Sequence, residues 1–483
     1  MLEGLEISEI LFSKMDQIKV RLDAEYYRKS YLEIDQKIKS IGVTNLIKIN
    51  AKIDCSAFYP SITEYYNFEG NGIPFLRVNE IKEGLVNITD STAYLPEHVL
   101  DNNKSTITVG YSGDLIIAKG GNTLAKVGLI TSQYEKYALS RDIILIRTSN
   151  LVNYNRYFLW LFLHSNYGQA LLWRTASQTG QPHLTLPSIK EIYLPKFGIE
   201  LEAITEKLYL ESVRLANKSK TIFQKADRIL LQEIGLEDFE PSKEPINIKS
   251  FKDSFVNFER LDAEYYQKKY EDLINVLTQQ SHNQLSNLVE VNKSIEPGSA
   301  NYSDEGVPFI RVSDYDKFGF SKPDKYLKEK FVEENKKLLE KIKPRKGTIL
   351  FSKDGSVGCS YHLREDKDFI TSGAILHLKV KDENTVLPEY LTLVLNSKAV
   401  QMQAERDAGG SIILHWRVSE IEDVVIPIID LSKQKEIAEL VEESFKLKRN
   451  SEKILETAKK TVEIAIEESE EIALDYIKRE LDN

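Results

Sequence analysis

The chain repeats itself over a long distance: Arg-Leu-Asp-Ala-Glu-Tyr-Tyr at residues 21–27 recurs unchanged at residues 260–266. Other matches follow in the same order and at nearly the same offset: residues 72–78 with 306–312, Gly113 with Gly347, Lys119 with Lys353, His183 with His415, and residues 211–212 with 443–444. Because this period is far longer than that of a solenoid repeat, it predicts two copies of one domain-plus-helix unit. Such a chain should engage its target at two places.

The bulk numbers describe an ordinary globular protein. A length of 483 residues allows two or three domains, and hydrophobic residues make up 42% of the chain. No apolar run is long enough to cross a membrane, and the first residues lack the pattern of an export signal. The two cysteines, Cys55 and Cys359, lie in different copies without metal-like spacing. We therefore expect no membrane association and a reducing, cytoplasmic environment.

The formal net charge is −10, which taken alone argues against a nucleic-acid partner. However, the acidic residues are concentrated outside the first globular copy. A duplex-binding surface needs local positive charge rather than a basic protein overall. The charge therefore neither supports nor excludes DNA binding.

Each copy has the same predicted organisation. It opens with a helical segment at the repeated heptapeptide and continues through short alternating runs rich in glycine, proline and asparagine, which indicate a mixed domain with many short strands. It closes in a long polar helix, at about 201–234 in the first copy and 432–480 in the second. The predicted fold is α+β, with two homologous mixed domains at 1–198 and 237–430, spacer helices at 199–236 and 431–483, and a pseudo-twofold internal repeat.

Both helices carry an apolar residue every seven positions, with a serine or alanine four positions after most of them. A heptad row forms one apolar stripe, and small residues beside it let a partner backbone approach closely. We expect the two helices to pair antiparallel and, at roughly 50 Å, to act as a ruler between the domains; the alternative is that each packs only on its own domain. The predicted pairing residues are Leu208, Leu215, Ile222, Ile229, Leu440, Leu447 and Ile454.

Catalytic motifs are missing from the sequence. It has neither a Walker-type phosphate loop nor a His-Glu-x-x-His metal motif, and its histidines show no ligand spacing. Residues 68–72 spell the Phe-x-Gly-x-Gly of S-adenosylmethionine-binding methyltransferases, but a strand-like segment follows where such a site needs a helix. We interpret this segment as a turn.

The strongest candidates for binding are two strand-to-turn segments, 113–121 and 347–355, each with a lysine at its glycine-containing tip. Such a tip can place a positive charge against a phosphodiester, or it can be an ordinary hairpin with a solvated lysine. Arg345 belongs to a basic cluster just before the second turn. Arg77 and Arg311 sit on predicted strand faces, where they face a nucleic-acid groove or, as we favour, pair with a buried acid. For His183 and His415 we favour a structural hydrogen bond.

The duplicated heptapeptide, the paired turns and the two heptad helices resemble, over essentially the whole chain, the specificity (S) subunit of a Type I restriction–modification system. The resemblance implies two target recognition domains that each read half of a bipartite duplex DNA site. It implies helices that dock the methyltransferase (M) subunits, expected to be two, with restriction (R) subunits as optional partners. It also implies a non-catalytic chain without a cofactor, S-adenosylmethionine on the M subunits, and a bacterial or archaeal cytoplasm.

The duplication allows a division of roles. If the copies read different half-sites, the residues they share serve the scaffold or phosphate contacts, and readout lies where they diverge. The shared group is Arg77, Lys119, Gly121, His183, Arg311, Lys353, Gly355 and His415, to which Arg345 adds a phosphate contact; the readout candidates are Asn122, Lys126, Gln178, Gln181, Ser356 and Ser411. The competing hypothesis is a helical scaffold that binds proteins rather than DNA.

Overall fold

A computed structural model describes residues 9–11, 21, 23–57, 61–89, 91–176, 181–257, 260–410 and 413–481. The chain forms two compact units, one of Met1–Arg214 with Asn450–Asn483 and one of Leu215–Arg449. Each unit therefore holds one copy of the repeated domain together with part of each long helix. None of the helices in the described ranges combines the length and the apolar character that a membrane span requires.

The first copy is a mixed domain of short strands and helices. Its elements are α1 (Lys29–Ile41), β1 (Val43–Asn45), β2 (Lys52–Cys55), β3 (Ile73–Leu76), β4 (Ile81–Lys82), β5 (Leu85–Val86), β6 (Ala93–Leu95), α2 (Glu97–Asn102), β7 (Val109–Gly110), β8 (Leu115–Ala118), β9 (Val127–Leu129), β10 (Tyr137–Leu139), β11 (Ile143–Arg147), α3 (Arg156–His164), α4 (Asn166–Thr175), α5 (Leu186–Lys190), β12 (Tyr193–Pro195) and the long helix α6 (Ile199–Glu233).

The strands of the first copy form a sheet in the order β2-β11-β8-β9-β5-β4, a second sheet in the order β6-β3-β10-β7, and the pair β1-β12. The central strands β8 and β11 are almost continuous runs of buried aliphatic residues, as expected for strands covered on both faces. Helix α3, whose residues from Phe158 to Leu163 are buried, packs into the same core. The β8–β9 turn, which carries the predicted lysine tip, follows the C-terminal end of the buried strand β8.

The second copy is built in the same way. Its elements are α7 (Lys268–Thr278), β13 (His282–Gln284), α8 (Leu285–Leu288), β14 (Val289–Lys293), β15 (Tyr302–Ser303), β16 (Val307–Ile310), β17 (Tyr315–Asp316), β18 (Gly319–Phe320), β19 (Tyr326–Leu327), α9 (Glu329–Glu334), α10 (Lys336–Ile342), β20 (Ile349–Ser352), β21 (Ser360–His362), β22 (Ile370–Thr371), β23 (Ile375–Val380), α11 (Pro388–Asn396), α12 (Lys398–Asp407), α13 (Val418–Glu422), β24 (Val425–Pro427), the long helix α14 (Leu431–Glu467) and α15 (Glu470–Leu481).

The strand order confirms the internal duplication. The sheet β14-β23-β20-β21 repeats β2-β11-β8-β9, the order β19-β16-β22 repeats β6-β3-β10, and β13-β24 repeats β1-β12. The parallel pair of β3 with β10 in the first copy recurs as β16 with β22 in the second. The predicted α+β class with two homologous mixed domains is thus confirmed.

The long helices pair antiparallel within each unit. In the first unit, the Ser451 hydroxyl donates to the backbone carbonyl of Ser212 (2.7 Å), and the buried Ser212 hydroxyl donates to the Tyr209 carbonyl of its own helix (2.9 Å). In the second unit, Ser219 and Ser444 each donate to the other's carbonyl, at 2.8 and 2.9 Å. Ser219 precedes Glu233, which pairs with Lys433 near the start of α14 (3.2 Å), so the helices run in opposite directions there. The prediction of antiparallel pairing is confirmed, and the small residues do allow close approach.

The apolar stripe is displaced from its predicted position along part of this seam. Leu208 and Leu215 are buried, but further along α6 the buried residues are Phe223 and Leu230. The predicted Ile222 and Ile229 are only half-buried, as are Leu440, Leu447 and Ile454 of α14. An α-helix drifts by about 20° per heptad relative to a strict seven-residue repeat, so over several heptads the buried position moves by nearly one residue.

The predicted second helix is too long at its C-terminal end. Helix α14 stops at Glu467, and α15 begins at Glu470. The Ser469 hydroxyl accepts a hydrogen bond from the Ile472 backbone N–H (3.3 Å), which is the contact of a helix N-cap. A serine in the middle of a polar heptad pattern gave no signal of this break.

Candidate nucleic-acid interface

The lysine-bearing turn meets the shared histidine in both copies. In the first copy, the Lys119 carbonyl accepts from the Leu184 N–H (2.8 Å), and Gly120 forms a bridge with His183. In the second copy, the Lys353 carbonyl accepts from the Trp416 N–H (2.8 Å), and Asp354 forms the bridge with His415. The sequence showed these lysines and histidines only as separate shared positions. The fold brings each pair together at one exposed tip.

The tip of the first copy leaves its lysine without an acidic neighbour. Lys119 Nζ lies 3.8 Å from the Cys55 sulfur, and Lys119 makes no ion pair within the described part of the chain. A Cβ built on Gly120 would lie 2.3 Å from Nδ1 of His183, so the imidazole packs directly over the glycine. No carboxylate can occupy this position while the ring is there.

The tip of the second copy is held by a carboxylate. Asp354, at the position of Gly120, pairs with Lys353 and accepts a hydrogen bond from Nδ1 of His415 (2.8 Å). The side chain of His415 is 64% exposed and that of Asp354 19%. The favoured interpretation of His415 as a hydrogen-bonded residue is therefore confirmed, with an aspartate that has no counterpart in the first copy.

Both turns contain the predicted glycine for a backbone reason. Gly121 has φ +69° and Gly355 φ +75°, a left-handed conformation that side chains rarely adopt. Nothing lies within 4 Å of a Cβ built on either residue, so space is not the constraint. These glycines shape the turn and leave its backbone open to a ligand.

The divergent candidates that the structure describes lie at the surface beside these tips. Asn122 and Lys126 follow Gly121 and are exposed, Gln181 is exposed two residues before His183, and Ser356 is exposed beside Gly355. Gln178 and Ser411 lie outside the described residues. Their assignment to base readout stays a prediction, but the described candidates are placed where a ligand at the tip would meet them.

Arg77 and Arg311 do not lie on strands. Strand β3 ends at Leu76 and β16 at Ile310, and each arginine begins a short 3₁₀ turn that contains Asn79 or Ser313. The predicted strand faces are therefore wrong. The turn forms because a buried carboxylate three residues on accepts from the arginine backbone N–H, at 2.8 Å in both copies, and also contacts the guanidinium. These carboxylates belong to Glu80 and Asp314, which confirms the buried-acid interpretation.

The basic cluster before the second turn is partly paired. Arg345 is exposed and donates to Glu340 (2.9 Å). Its assignment as a phosphate contact stays a prediction.

The arginine of the repeated heptapeptide joins this segment to the end of a helix later in the same copy; we call this set of contacts the staple. The Arg21 guanidinium makes two hydrogen bonds to Asp23, at 2.8 and 2.6 Å, and donates to the carbonyls of Thr175 and Ala176 at the end of α4. It also lies over the Tyr26 ring, 4.6 Å from the centroid. The hydrogen bond from Arg21 lowers the pKa of Asp23.

The second copy repeats this staple. Arg260 makes two hydrogen bonds to Asp262, at 2.9 and 2.7 Å, donates to the Asp407 carbonyl at the end of α12 and lies over Tyr265. The sequence predicted a helical segment here but not this role. The staple fixes the end of the helix that leads towards the second divergent segment of each copy.

Two possible cofactor sites have structural explanations. Residues 68–72 form bends that lead into β3 and not into a helix, as predicted, and a Cβ on Gly72 would lie 2.4 Å from the Leu95 carbonyl oxygen. The side chains of His362, Glu389 and Glu442 come within metal-ligand reach of one another. However, Arg364 Nε lies 2.5 Å from Glu442 and already neutralises it. We assign this group to the packing of α14 on the sheet.

Residues 58–196 and 265–460 match the family "Type I restriction modification DNA specificity domain". Each match covers one copy of the repeated domain, and together they cover more than half of the chain. The chain belongs to this family. The resemblance inferred from the repeated motifs is thereby confirmed, and the protein is a specificity subunit of the Type I restriction–modification class.

Solved structures of specificity subunits are similar over most of their length. The S subunit of the Type I system of M. genitalium has a TM-score of 0.40 at 10% identity, with 87% of this chain and 94% of that chain covered. The HsdS subunit of Thermoanaerobacter tengcongensis has a TM-score of 0.27 at 15% identity, with 87% and 97% covered. No curated protein matches the chain. Membership rests on the family match, because these TM-scores are low.

The two lysine tips lie within the two matched regions. Each family match contains one lysine turn with its histidine, so the constellation occurs once per specificity domain. The copies share the turn geometry and differ in the charge that surrounds it. That difference lies at the exposed end of the domain, whereas the staples and carboxylate-capped arginines are the same in both.

Proposed function

We propose that this specificity subunit recognises a bipartite duplex DNA site and that each copy of its domain reads one half. The observation that carries the proposal is the double match to a DNA specificity family, with one exposed lysine–histidine tip in each matched region. Lys119 and its open glycine turn suit the close approach of a phosphodiester backbone. A polar, exposed neighbour such as Asn122 suits hydrogen bonding to base edges in the major groove.

The methyl transfer is expected to occur on a different chain. We propose that M subunits, two per complex, dock on this chain and carry S-adenosylmethionine and the base-flipping chemistry. The chain itself contributes recognition and no catalysis, and R subunits join in a restriction-competent complex. The absence of recognisable catalytic motifs from the sequence supports this division.

The test is a pull-down of the tagged full-length chain from its own host, combined with sequencing-based mapping of methylated bases in strains with and without the chain. We expect a methyltransferase to co-purify and one bipartite methylated motif to disappear when the chain is absent. Loss of the motif would also give both half-sites and the spacer between them. A chain that captures no methyltransferase and leaves all methylation unchanged would contradict the proposal and favour a protein-binding scaffold.

A further inference from the structure

A large basic groove lies in the second copy, away from the lysine tip. It has a volume of about 690 Å³ and opens between helix α10, the segment that leads into β20, and the strands β14 and β23. Six of its lining residues are basic: Lys293, Lys341, Lys343, Arg345, Lys346 and Lys379. Only two acidic residues, Glu290 and Glu383, line it. Its shape and charge suit an extended anionic ligand.

Much of this positive charge is uncompensated. Lys343 pairs with Asp368, and Arg345 pairs with Glu340. The other four lysines that line the groove make no ion pair within the described ranges of the chain. Burial lowers the pKa of His377, at the base of the groove, to about 4, so this ring stays neutral at physiological pH. Four free lysines against two carboxylates leave the groove with a net positive charge.

The first copy carries less of this charge: Arg147 stands at the position of Lys379, but its guanidinium pairs with Asp114 (3.4 Å). The strand register places Cys55 at the position of Lys293, because Cys55 pairs with Ile144 as Lys293 pairs with Leu376. By the offset that aligns the two lysine tips, Lys341 corresponds to the buried Ile107. The group of four unpaired lysines is therefore particular to the second copy and is not part of the shared scaffold.

We propose that this groove binds the sugar–phosphate backbone of the duplex that the second copy recognises, an inference that rests on the proposed function. Asp354 already occupies Lys353 and His415 at the second tip, so that tip offers less free positive charge than the first. The four free lysines supply this charge from another part of the same domain. Duplex DNA carries one negative charge per about 1.7 Å of axis. A phosphate backbone that runs along the groove can therefore contact several of its lysines at once.

The groove and the tip lie at opposite ends of one strand. Gly347 and Thr348 line the groove just before β20, and Lys353 follows the end of that strand. Four strand residues span about 13 Å, the rise of a few base pairs. A single half-site is long enough to contact both.

The experiment compares two double variants of the full-length chain. Lys341→Ala with Lys379→Ala removes two groove lysines, and Lys336→Ala with Lys337→Ala removes two exposed lysines that lie outside the groove, at the start of the same helix as Lys341. Affinity for a duplex with the mapped methylation motif is measured between low and physiological salt. Lys341→Arg with Lys379→Arg keeps the charge and serves as a rescue, and thermal unfolding confirms that each variant is folded.

We expect the groove pair to reduce the slope of log affinity against log salt by roughly 1 to 2 and the control pair to leave it unchanged, since each neutralised phosphate contributes about 0.9. The arginine pair should restore the slope. A groove pair that keeps the wild-type slope overturns the proposal, and if it instead loses capture of the methyltransferase, the groove binds an acidic protein surface. Failure of the wild-type chain to bind the duplex would instead contradict the proposed function.

Discussion

The two copies of the domain agree in their interior and differ at their binding surfaces. Both use the same arginine–tyrosine staple, the same capped arginine turn and the same order of the central strands. At the tip, the first copy has a glycine beneath its histidine, whereas the second has Asp354, which pairs with its lysine and accepts a hydrogen bond from its histidine. Duplication therefore preserved the scaffold, while the distribution of charge around the tip diverged. Under the proposed function, the two half-sites would be distinguished here.

The largest expected effect is the pH dependence of stability that comes from one buried histidine in each copy. The two histidines, His164 and His377, occupy different positions of the repeat. Burial lowers the pKa of His164 in the first unit and of His377 in the second to about 4. Above about pH 6.5 both rings are neutral in the folded and unfolded chains; as the pH falls from there towards 4, the unfolded chain binds protons that the folded chain does not, so stability is lost. We expect a loss of roughly 3 kcal/mol per histidine.

Thermal unfolding measured from pH 7 to pH 4.5 tests this expectation. His164→Gln and His377→Gln should each flatten the pH dependence by removing one buried histidine from the titration. Variants that keep the wild-type pH profile would show that these rings are not responsible.

Removing the arginine of the staple should lower the unfolding free energy by the same amount in the two copies. Arg21→Ala and Arg260→Ala each remove a charged hydrogen-bond network from a mostly buried position, and we expect a loss of about 2 kcal/mol of unfolding free energy in each case. Arg228→Ala is the control, because Arg228 is 73% exposed in its pair with Glu237 and should change stability by less than about 0.5 kcal/mol. A large difference between the two staple variants in chemical denaturation would break the equivalence of the scaffolds.

The stability of the contact between the two long helices should depend more on the size of the side chain at Ser219 than on its polarity. Ser219→Ala removes the hydrogen bond that its hydroxyl donates to the Ser444 carbonyl and should cost about 1 kcal/mol. Ser219→Leu should cost more because the backbones could no longer approach as closely. Lys220→Leu, on the exposed face beside it, is the matched control. If Ser219→Leu unfolded at the same denaturant concentration as the wild-type chain, the close approach of the two helix backbones at Ser219 would be contradicted.

Replacing the tip lysines should have the smallest effect, a change in DNA affinity, and this change should differ between the two copies. Lys119→Ala should weaken binding to every sequence by about fivefold and lower the salt slope by about 1, as for loss of one phosphate contact. Lys353→Ala should have less effect, because Asp354 already compensates its charge. Asp354→Asn should strengthen binding by releasing this charge. Equal effects of the two lysine variants in a salt titration would remove the asymmetry between the tips.

The sequence predicted the repeated architecture because duplication leaves matching residues in a fixed order. It also predicted the seam, because Ser212, Ser219, Ser444 and Ser451 recur at heptad spacing beside apolar residues. The exchange of Ile222 for Phe223 in the buried stripe could not be predicted, since it depends on the accumulated drift of a straight helix. The break at Ser469 depends on a local cap that competes with helix continuation.

The site was predicted less completely than the fold. The shared lysines and histidines were identified, but their meeting at one tip depends on a bridge between segments about sixty residues apart in the chain. The position of Asp354 next to Lys353 was visible in the sequence, yet its bond to His415 was not. The groove combines residues from two strands and a helix, and the four-residue basic cluster before β20 was its only sequence signal.

The most direct test of the two-copy account is a map of methylated bases in cells that express either the wild-type chain or Asn122→Ala. Asn122 lies at the exposed tip of the first copy and is not shared with the second. The account predicts that the sequence requirement relaxes in one half of a bipartite motif, while the other half and the spacer stay unchanged. A change in both halves, or a motif that does not depend on this chain at all, would contradict it.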